Sequence, residues 1–357
     1  MIGERIKRAR MAAGLNQREL AERANVSAMA ISKYERDENT PSSTVLLALA
    51  KALGVRTEYF FRHVEVTLGK IEYREHEKLP EKEESKVLAD VTEQVERWIA
   101  LEEFIPTAWS VPFELPDDLP KTVASLDDIE ALSVALRHAW NLGLNPIPDL
   151  IDTLESKGIK VIITRYDGHK NFNGLSTTVN GSPLIVVGKH WPGDRQRFTM
   201  AHELGHLILR GRLKGTLQVQ EENACHRFAG AFLAPEAMVR QALGERRTWL
   251  EPQELNLLKH EYGLSMGAWT YRASDLGILN KQGMQAIWRL MRTRGWKEKE
   301  PDPQYPQEQP RLFKQTVYRA LAEDLFGESK AAELLGMSVM DLHACRNMEC
   351  PDEVADQ

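Results

Sequence analysis

The sequence His202-Glu203-Leu-Gly-His206 places two imidazoles four residues apart, with a carboxylate next to the first. One helical turn brings positions i and i+4 onto the same face, so both imidazoles can bind one Zn²⁺ from the same side. Glu203 would then be close enough to take a proton from a water at the metal. This spacing predicts a zinc site and, as its chemistry, peptide-bond hydrolysis.

Two histidines leave a catalytic Zn²⁺ one protein ligand short, because such sites hold three protein ligands and one open position. The helix predicted over 221–233 supplies candidates. Glu222 lies one turn before Cys225 on the edge of the buried face, whereas Glu221 is turned about 100° away. We therefore predict Glu222 as the third ligand and His226 as a weaker alternative, either as ligand or as partner of one. Cys225 is expected to be a small buried residue.

A second pattern, at the N-terminus between Leu15 and Glu35, resembles lambda-repressor-like helix-turn-helix domains, and this resemblance implies DNA binding. Asn16 and Ser27 are expected to cap two short helices, the second over 28–35. Outward side chains of that second helix could contact base edges in the major groove, with Lys33 placed to bond a guanine. Glu35 is expected to brace the fold. The residues predicted at DNA are Gln17, Ser27, Ala28, Met29, Ser32, Lys33, Tyr34 and Arg36, with Arg10 as a further phosphate contact.

The charge of the chain is unevenly distributed. Residues 1–63 contain eleven Lys and Arg against seven Asp and Glu, a net charge of +4, which leaves −10 for the rest of a chain of total charge −6. A basic module on an acidic body indicates a polyanionic partner for the module alone.

The sequence also indicates where in the cell the protein is expected. Its apolar runs are too short to span a bilayer, and residues 1–8 lack the apolar core of a signal peptide, so no membrane partner is expected. Three cysteines without paired-ligand spacing argue against a disulfide framework. We therefore expect a cytoplasmic protein in which Cys345 and Cys350 are free thiols.

Composition and helical periodicity divide the chain into folded units. The predicted boundaries are 1–63 for a helical DNA-binding domain, 64–124 for a connector, 125–296 for the domain with the zinc motif, and 311–350 for a small helical domain. Residues 297–310 are predicted to be a polar linker, and residues 64–75 alternate as a short strand does. No internal repeat is found, although 329–338 looks like half of another helix-turn-helix. Since that segment carries little basic charge, packing or a dimer contact is favoured there.

The elements around the zinc motif follow from local signals. Ser125 and Asp128 predict a capping box at the start of a helix over 126–140, and Asn180-Gly181 predicts a hairpin. Strands are expected at 159–164, 174–179 and 184–187, and further helices at 148–157, 195–210, 252–262 and 266–276.

Three segments resemble one known family. Residues 197–206, 222–235 and 265–277 resemble the corresponding motifs of the ImmA/IrrE metallopeptidases, and the likeness covers about residues 125–280. Cys225 and His226 stand where Ala and Asn are frequent in such proteins, and Ala234 where Met is usual.

The resemblance implies a gluzincin-like site. His202, His206 and Glu222 would hold Zn²⁺, and Glu203 would act as general base. Members of the family mostly act on a repressor or regulator by limited proteolysis. The site also needs an oxyanion donor, for which Tyr271 and His226 are the candidates.

The N-terminal pattern over 15–35 resembles lambda-repressor-like helix-turn-helix domains, and the likeness covers residues 3–62. It implies a five-helix domain whose recognition helix is 27–35. Such modules commonly bind palindromic operators as homodimers, so both are expected here.

The implied fold class is α+β and mainly α: a five-helix lambda-repressor-like domain, a zincin-like (gluzincin-like) domain with a small sheet, and a small helical C-terminal domain. The expected function is a sequence-specific DNA-binding transcriptional regulator with a zinc-dependent endopeptidase-like domain. The whole architecture also resembles Xre-type antitoxins, so a toxin is an expected partner beside a protein substrate.

Two alternatives stay open. In the first, the zincin domain of a regulator only senses or assembles without proteolysis. In the second, the protein is a site-specific metallopeptidase that cleaves a repressor-type partner. The presence of Glu203 beside both histidines speaks against the first, because structural zinc needs no general base.

Overall fold

The computed structural model describes residues 2–61, 69, 80–164, 172–216 and 220–350. The first eight helices are α1 (Ile2–Ala12), α2 (Gln17–Ala24), α3 (Ala28–Glu35), α4 (Ser43–Leu53), α5 (Glu81–Glu102), α6 (Leu126–Ala139), α7 (Leu150–Glu155) and α8 (Gly193–Leu209). They are followed by α9 (Glu221–Leu233), α10 (Glu236–Leu243), α11 (Pro252–Tyr262), α12 (Met266–Asp275), α13 (Lys281–Thr293), α14 (Leu312–Ala322), α15 (Glu328–Leu335) and α16 (Val339–Arg346). The strands are β1 (Lys160–Thr164), β2 (Gly174–Val179) and β3 (Ser182–Gly188). The predicted class, α+β with mostly helix, is confirmed.

Helices α1–α4 form a small bundle around its own core. The Asn16 side chain accepts from two backbone N–H groups at the start of α2, and Ser27 accepts from Ala30 N at 3.1 Å at the start of α3, so both predicted caps are confirmed. The fifth helix that the resemblance implied is a short 3-10 helix, Thr57–Phe61. Its Phe60 is 1% exposed and completes the core.

The sheet has the order β1-β3-β2. Strand β1 pairs in parallel with β3, and β2 pairs antiparallel to it, as the predicted hairpin requires. Asn180 and Gly181, at the turn, both have positive φ, of 47° and 87°. Two consecutive positive φ values give a turn whose twist matches that of the strands, which is why Asn-Gly occurs there.

Helices cover both faces of the sheet. Val87, Val91 and Val95 of α5 pack against side chains of β2 that include Leu175 and Val179. The opposite face packs into the main core together with α6, α8 and α9. Burial on both faces explains why β3 reads as a continuous apolar run rather than an alternating one.

Helix α5 lies in the segment predicted to be a connector, yet it contacts three parts of the molecule. Glu96, which is 1% exposed, forms ion pairs with Arg5 and Arg8 of α1. Near the end of α5, Ala100 and Leu101 belong to the core of the C-terminal helices. The α1–α4 bundle, the sheet and the C-terminal unit are therefore joined through one helix.

The C-terminal unit repeats the geometry of the N-terminal one, of which the sequence indicated only half, in residues 329–338. Helices α2, α3, α15 and α16 are each eight residues long. A left-handed residue ends the first helix of each pair, Asn25 or Gly336, and a serine caps the second helix, Ser27 or Ser338. The repeat was hidden because most equivalent side chains differ while the buried pattern persists.

A contact between helix ends is repeated as well. In the first unit Gln17 donates to Glu35 at 2.7 Å, joining the first residue of α2 to the last of α3. In the second unit the equivalent positions hold Glu328 and Arg346, which form an ion pair. The same pair of positions is thus tied in both units, by different chemistry.

Residues 297–310, which were predicted to be a polar linker, are held against the domain that carries the zinc motif. The Glu308 carboxylate pairs with the buried guanidinium of Arg197 and accepts from the N–H groups of Leu150 and Ile151. Helix N-termini and buried cations both stabilise a carboxylate. The polar composition that suggested a linker therefore supplies buried ion pairs instead. We call 297–310 the strap.

Three further expectations concern the ends and the surface of the fold. The strand expected over 64–75 lies outside the described residues apart from Gly69, which donates its N–H to Thr178 O at 2.8 Å.

The prediction that Cys345 and Cys350 are free thiols is wrong, since the two residues form a disulfide. The chain turns back between them at Met348, whose φ is 63°. Among the described residues, no helix has the length and apolar character needed to cross a membrane.

Candidate metal centre and DNA-binding surface

Helices α8 and α9 bring the candidate ligands together. They pack closely because Gly205 faces α9: a Cβ at this position would lie 3.3 Å from Cys225 Cα and 3.2 Å from the Phe228 ring. His202 and His206 lie on the same side of α8, and both are buried, at 0% and 8% exposure. The close approach allows the first turn of α9 to reach them.

The three predicted ligands converge. His202 Nε2 lies 3.2 Å from His206 Nε2 and 3.2 Å from Glu222 Oε2, and His206 Nε2 lies 3.3 Å from Glu222 Oε1. Ligand atoms about 2.0 Å from a tetrahedral Zn²⁺ are about 3.3 Å from one another. The donor set and its spacing therefore fit a zinc ion.

Electrostatics favour a cation at this point. Burial raises the pKa of the Glu222 carboxyl, but hydrogen bonds from His202 and His206 outweigh burial and hold that pKa well below its usual range. Burial lowers the pKa of His206, whereas its contacts with Cys225, Glu222 and Glu203 raise it, to about 12. The Glu222 and Glu203 carboxylates set negative charge beside the imidazoles, which favours a cation at this point.

Glu203 lies beside the cluster and is oriented by the sheet. It is 1% exposed, and its Oε2 accepts a hydrogen bond of 2.7 Å from the Ser176 hydroxyl on β2. Sequence analysis missed Ser176. The available signal was its place in the hairpin that precedes the motif, at a position whose side chain faces α8.

The residues that flank Glu222 lie as the helical wheel predicted, with one addition. Cys225 is fully buried. Glu221 is turned away from the three converging atoms, but its Oε1 lies 3.2 Å from Nδ1 of His206. The carboxylate therefore contacts the nitrogen on the opposite side of the same ring.

An open cavity of about 1320 Å³ adjoins the cluster. His226 lines it and connects it with the candidate ligands, since its ring lies 4.5 Å from that of His202. His226 is not part of the converging donor group. Tyr271 lines the same cavity, is 53% exposed, and contacts the ring of Trp288. Both candidate oxyanion donors therefore face space that a substrate could enter.

The predicted DNA-contacting residues on the α2–α3 unit differ in their exposure. Met29 is 70% exposed, and the Arg36 side chain is 60% exposed. Ala28 and Tyr34 instead pack partly against the core of the bundle. Ser32 and Lys33 are half-buried, and Ser27 is an exposed cap.

Arg10 does not lie where a phosphate contact was expected. Its guanidinium forms an ion pair with Glu35, at 3.0 Å from Nη2 to Oε2, and donates to Leu15 O at 2.9 Å. Glu35 also accepts from Gln17. The Glu35 carboxylate thus braces the bundle, as predicted. It binds the Arg10 guanidinium because a buried carboxylate needs a partner.

Known families match both parts of the chain. Residues 6–60 match the helix-turn-helix family, and residues 154–274 match the family described as the IrrE N-terminal-like domain. The chain joins an Xre-like helix-turn-helix domain to an ImmA/IrrE-like domain. The second match includes α8 and α9, so the converging His202, His206 and Glu222 lie inside the ImmA/IrrE-like domain.

Three curated proteins are similar to parts of the chain. An uncharacterized transcriptional regulator in the ATPase CF(0) region of Rhodospirillum rubrum is 44% identical over 64 residues, 18% of this chain and 59% of the relative. The HTH-type transcriptional regulator ImmR of Bacillus subtilis (strain 168) is 39% identical over 66 residues, 18% of this chain and 52% of the relative. The immunity repressor protein of Bacillus phage phi105 is 35% identical over 96 residues, 27% of this chain and 65% of the relative. The chain thus spans between half and two thirds of the length of these relatives.

Proposed function

We propose that this protein is a sequence-specific DNA-binding transcriptional regulator whose ImmA/IrrE-like domain is a zinc-dependent endopeptidase. Two of the similar proteins are named as transcriptional regulators and the third as an immunity repressor, which supports the DNA-binding half. A cytoplasmic homodimer on a palindromic operator belongs to the same proposal.

One observation carries the hydrolytic half. Two imidazole nitrogens and the oxygens of one carboxylate, 3.2–3.3 Å apart, lie next to a buried glutamate that takes no part in the donor group. A zinc ion that only stabilises structure requires no such neighbour. The arrangement supports Glu203 as a base, with His202, His206 and Glu222 as the metal ligands.

Residues around the metal site would have different roles in hydrolysis. Zn²⁺ held here would supply a Lewis acid and lower the pKa of a nearby water. Glu203 accepts the proton of the attacking water and later passes it to the leaving amine, while Ser176 holds its carboxylate in place. His226 and Tyr271 are the candidates to bond the developing oxyanion, and the cavity beside them receives the polypeptide.

Glu203→Gln separates the peptidase from the alternatives. A proteome-derived peptide library would be incubated with the zinc-loaded protein, and new termini would be identified by mass spectrometry. We expect specific cleavage by the wild type and none by the variant, with zinc content and DNA affinity unchanged. Equal cleavage by both proteins would reject Glu203 as the base. The absence of cleavage by a zinc-loaded wild type would favour a domain that senses or assembles.

A partner protein follows from this proposal. The substrate is expected to be another regulator, or a toxin whose activity the protein controls. Co-purification with the Glu203→Gln variant, which should bind without cleaving, would identify it. A partner cleaved by the wild type at a single peptide bond would support limited proteolysis.

A further inference from the structure

The His206 ring is contacted through both of its nitrogens. Nε2 points to His202 and Glu222, and Nδ1 lies 3.2 Å from Glu221 Oε1. A neutral imidazole binds a metal through the nitrogen that lacks a proton, while the other nitrogen carries the proton and donates. An acceptor at Nδ1 therefore selects the tautomer in which Nε2 is free to bind.

We propose that Glu221 is a positioning residue of the metal centre, which accepts the Nδ1 proton of His206 and so fixes the ring with Nε2 towards the ion. The inference rests on the proposed metal site and gives Glu221 a role in it. Carboxylates that accept from a ligating histidine increase metal affinity and restrict the rotation of its ring.

The position of Glu221 favours this role over ligation. Its side chain is 49% exposed, against 27% for Glu222, and it contacts the side of the ring that faces away from the converging atoms. As the first residue of α9, it also lies where the helix dipole stabilises a negative charge. A carboxylate in this place is therefore suited to accept a hydrogen bond from the ring.

A competing arrangement exists on the same side of the ring. The ligand atoms of His206, Glu221 and Cys225 lie within 4.8 Å of one another. An ion bound there would use Nδ1 and would need the thiolate of Cys225, whose pKa is raised by burial. The group at Nε2 brings together both histidines and the Glu222 carboxylate, whereas the group at Nδ1 contains one histidine, and we therefore place the ion at Nε2.

The first test measures zinc affinity of the full chain by competition with a chromogenic chelator, with zinc as the only added ligand. Glu221→Ala should weaken zinc binding by about 10- to 100-fold, and Glu221→Gln, which keeps an acceptor oxygen, should weaken it less. Glu236→Ala is the matched control, since Glu236 is also the first residue of a helix, has a side chain that is 41% exposed, and is paired with Arg240. Unchanged affinity in Glu221→Ala would overturn the proposal.

The second test observes the His206 ring in the zinc-loaded protein. Long-range ¹⁵N–¹H spectra of histidine-labelled protein should show Nε2 of His206 bound to zinc and a proton on Nδ1, assigned through His206→Asn, and Glu221→Ala should speed the exchange of that proton with water. If the wild type binds no zinc, the proposed metal function fails; if it binds zinc and Glu221→Ala changes neither the affinity nor the exchange, only the role of Glu221 fails. Cys225→Ala is expected to retain zinc binding. If Cys225→Ala lost as much zinc affinity as Glu222→Ala, the ion would lie at Nδ1 and the proposal would be overturned.

Discussion

The Ser176 hydroxyl donates a 2.7 Å hydrogen bond to Oε2 of Glu203, and both residues are almost fully buried. This bond links the edge of the sheet to the helix that carries the metal motif. The hairpin therefore does more than support α8, because it fixes the direction of the carboxylate that we propose as the base.

Ser176→Ala should reduce catalysis without reducing metal binding. A hydrogen bond to a charged group contributes about 1.5–3 kcal/mol, so kcat should fall by about 10- to 100-fold. KM and the zinc dissociation constant should stay near the wild-type values. Thr178→Ala, two residues further along the same strand, is the control. A variant Ser176→Ala with wild-type kcat would show that the bond is incidental.

Lys33→Ala should weaken operator binding by about 1–3 kcal/mol if Lys33 contacts a base, and the loss should be largest for the preferred operator. The operator would first be selected from random DNA, and affinities would be measured by gel shift at fixed salt. Lys51→Ala is the matched control, because Lys51 is an exposed lysine of the same domain on α4. Equal binding by Lys33→Ala and the wild type would remove Lys33 from the interface.

Glu308→Gln should destabilise the protein, because it leaves the guanidinium of Arg197, which is 1% exposed, without its carboxylate. Removing one partner of a buried ion pair costs about 3–5 kcal/mol. The free energy of unfolding would be measured in urea. The double variant with Arg197→Met should recover part of the loss. If Glu308→Gln unfolds like the wild type, the strap is not held as described.

Because of Glu155, the free energy of unfolding should fall as the pH rises. Burial raises the pKa of its carboxyl from 4.5 to about 8 despite the hydrogen bond from Leu312 N. The folded chain then holds a proton that the unfolded chain releases, so stability is lost between about pH 4.5 and pH 8, by at most about 1.4 kcal/mol for each pH unit. Glu155→Gln should abolish this loss, as urea unfolding at pH 5, 7 and 9 would show. Parallel pH profiles for both proteins would contradict the assignment.

The sequence predicted those parts of the fold that depend on local signals. The caps at Asn16 and Ser27, the Asn180-Gly181 turn and the bounds of α9 were all correct, because each depends on residues close in the chain. The convergence of His202, His206 and Glu222 also follows from helical spacing and the resemblance, although their role as ligands stays a prediction.

Features that depend on distant contacts were not predicted. The Ser176–Glu203 bond joins a strand to a helix, and the ion pair that holds the strap joins residues 197 and 308. The polar composition of 297–310 is the same for a solvated linker and for a segment whose charges are buried against opposite charges. Only the partner, which local sequence does not show, distinguishes the two.

The two helix-turn-helix units share a backbone layout but differ at the ends of their helices. Gln17 in the first unit is matched by Glu328 in the second, so a neutral amide is replaced by a carboxylate at the first residue of the first helix. That carboxylate is paired with Arg346 and lies 2.8 Å from His343 Nε2, so the second unit carries an ion pair at these positions. Each unit is thus an internal reference for the other. Transferring side chains between equivalent positions would show how much of DNA binding depends on the side chains when the backbone layout stays the same.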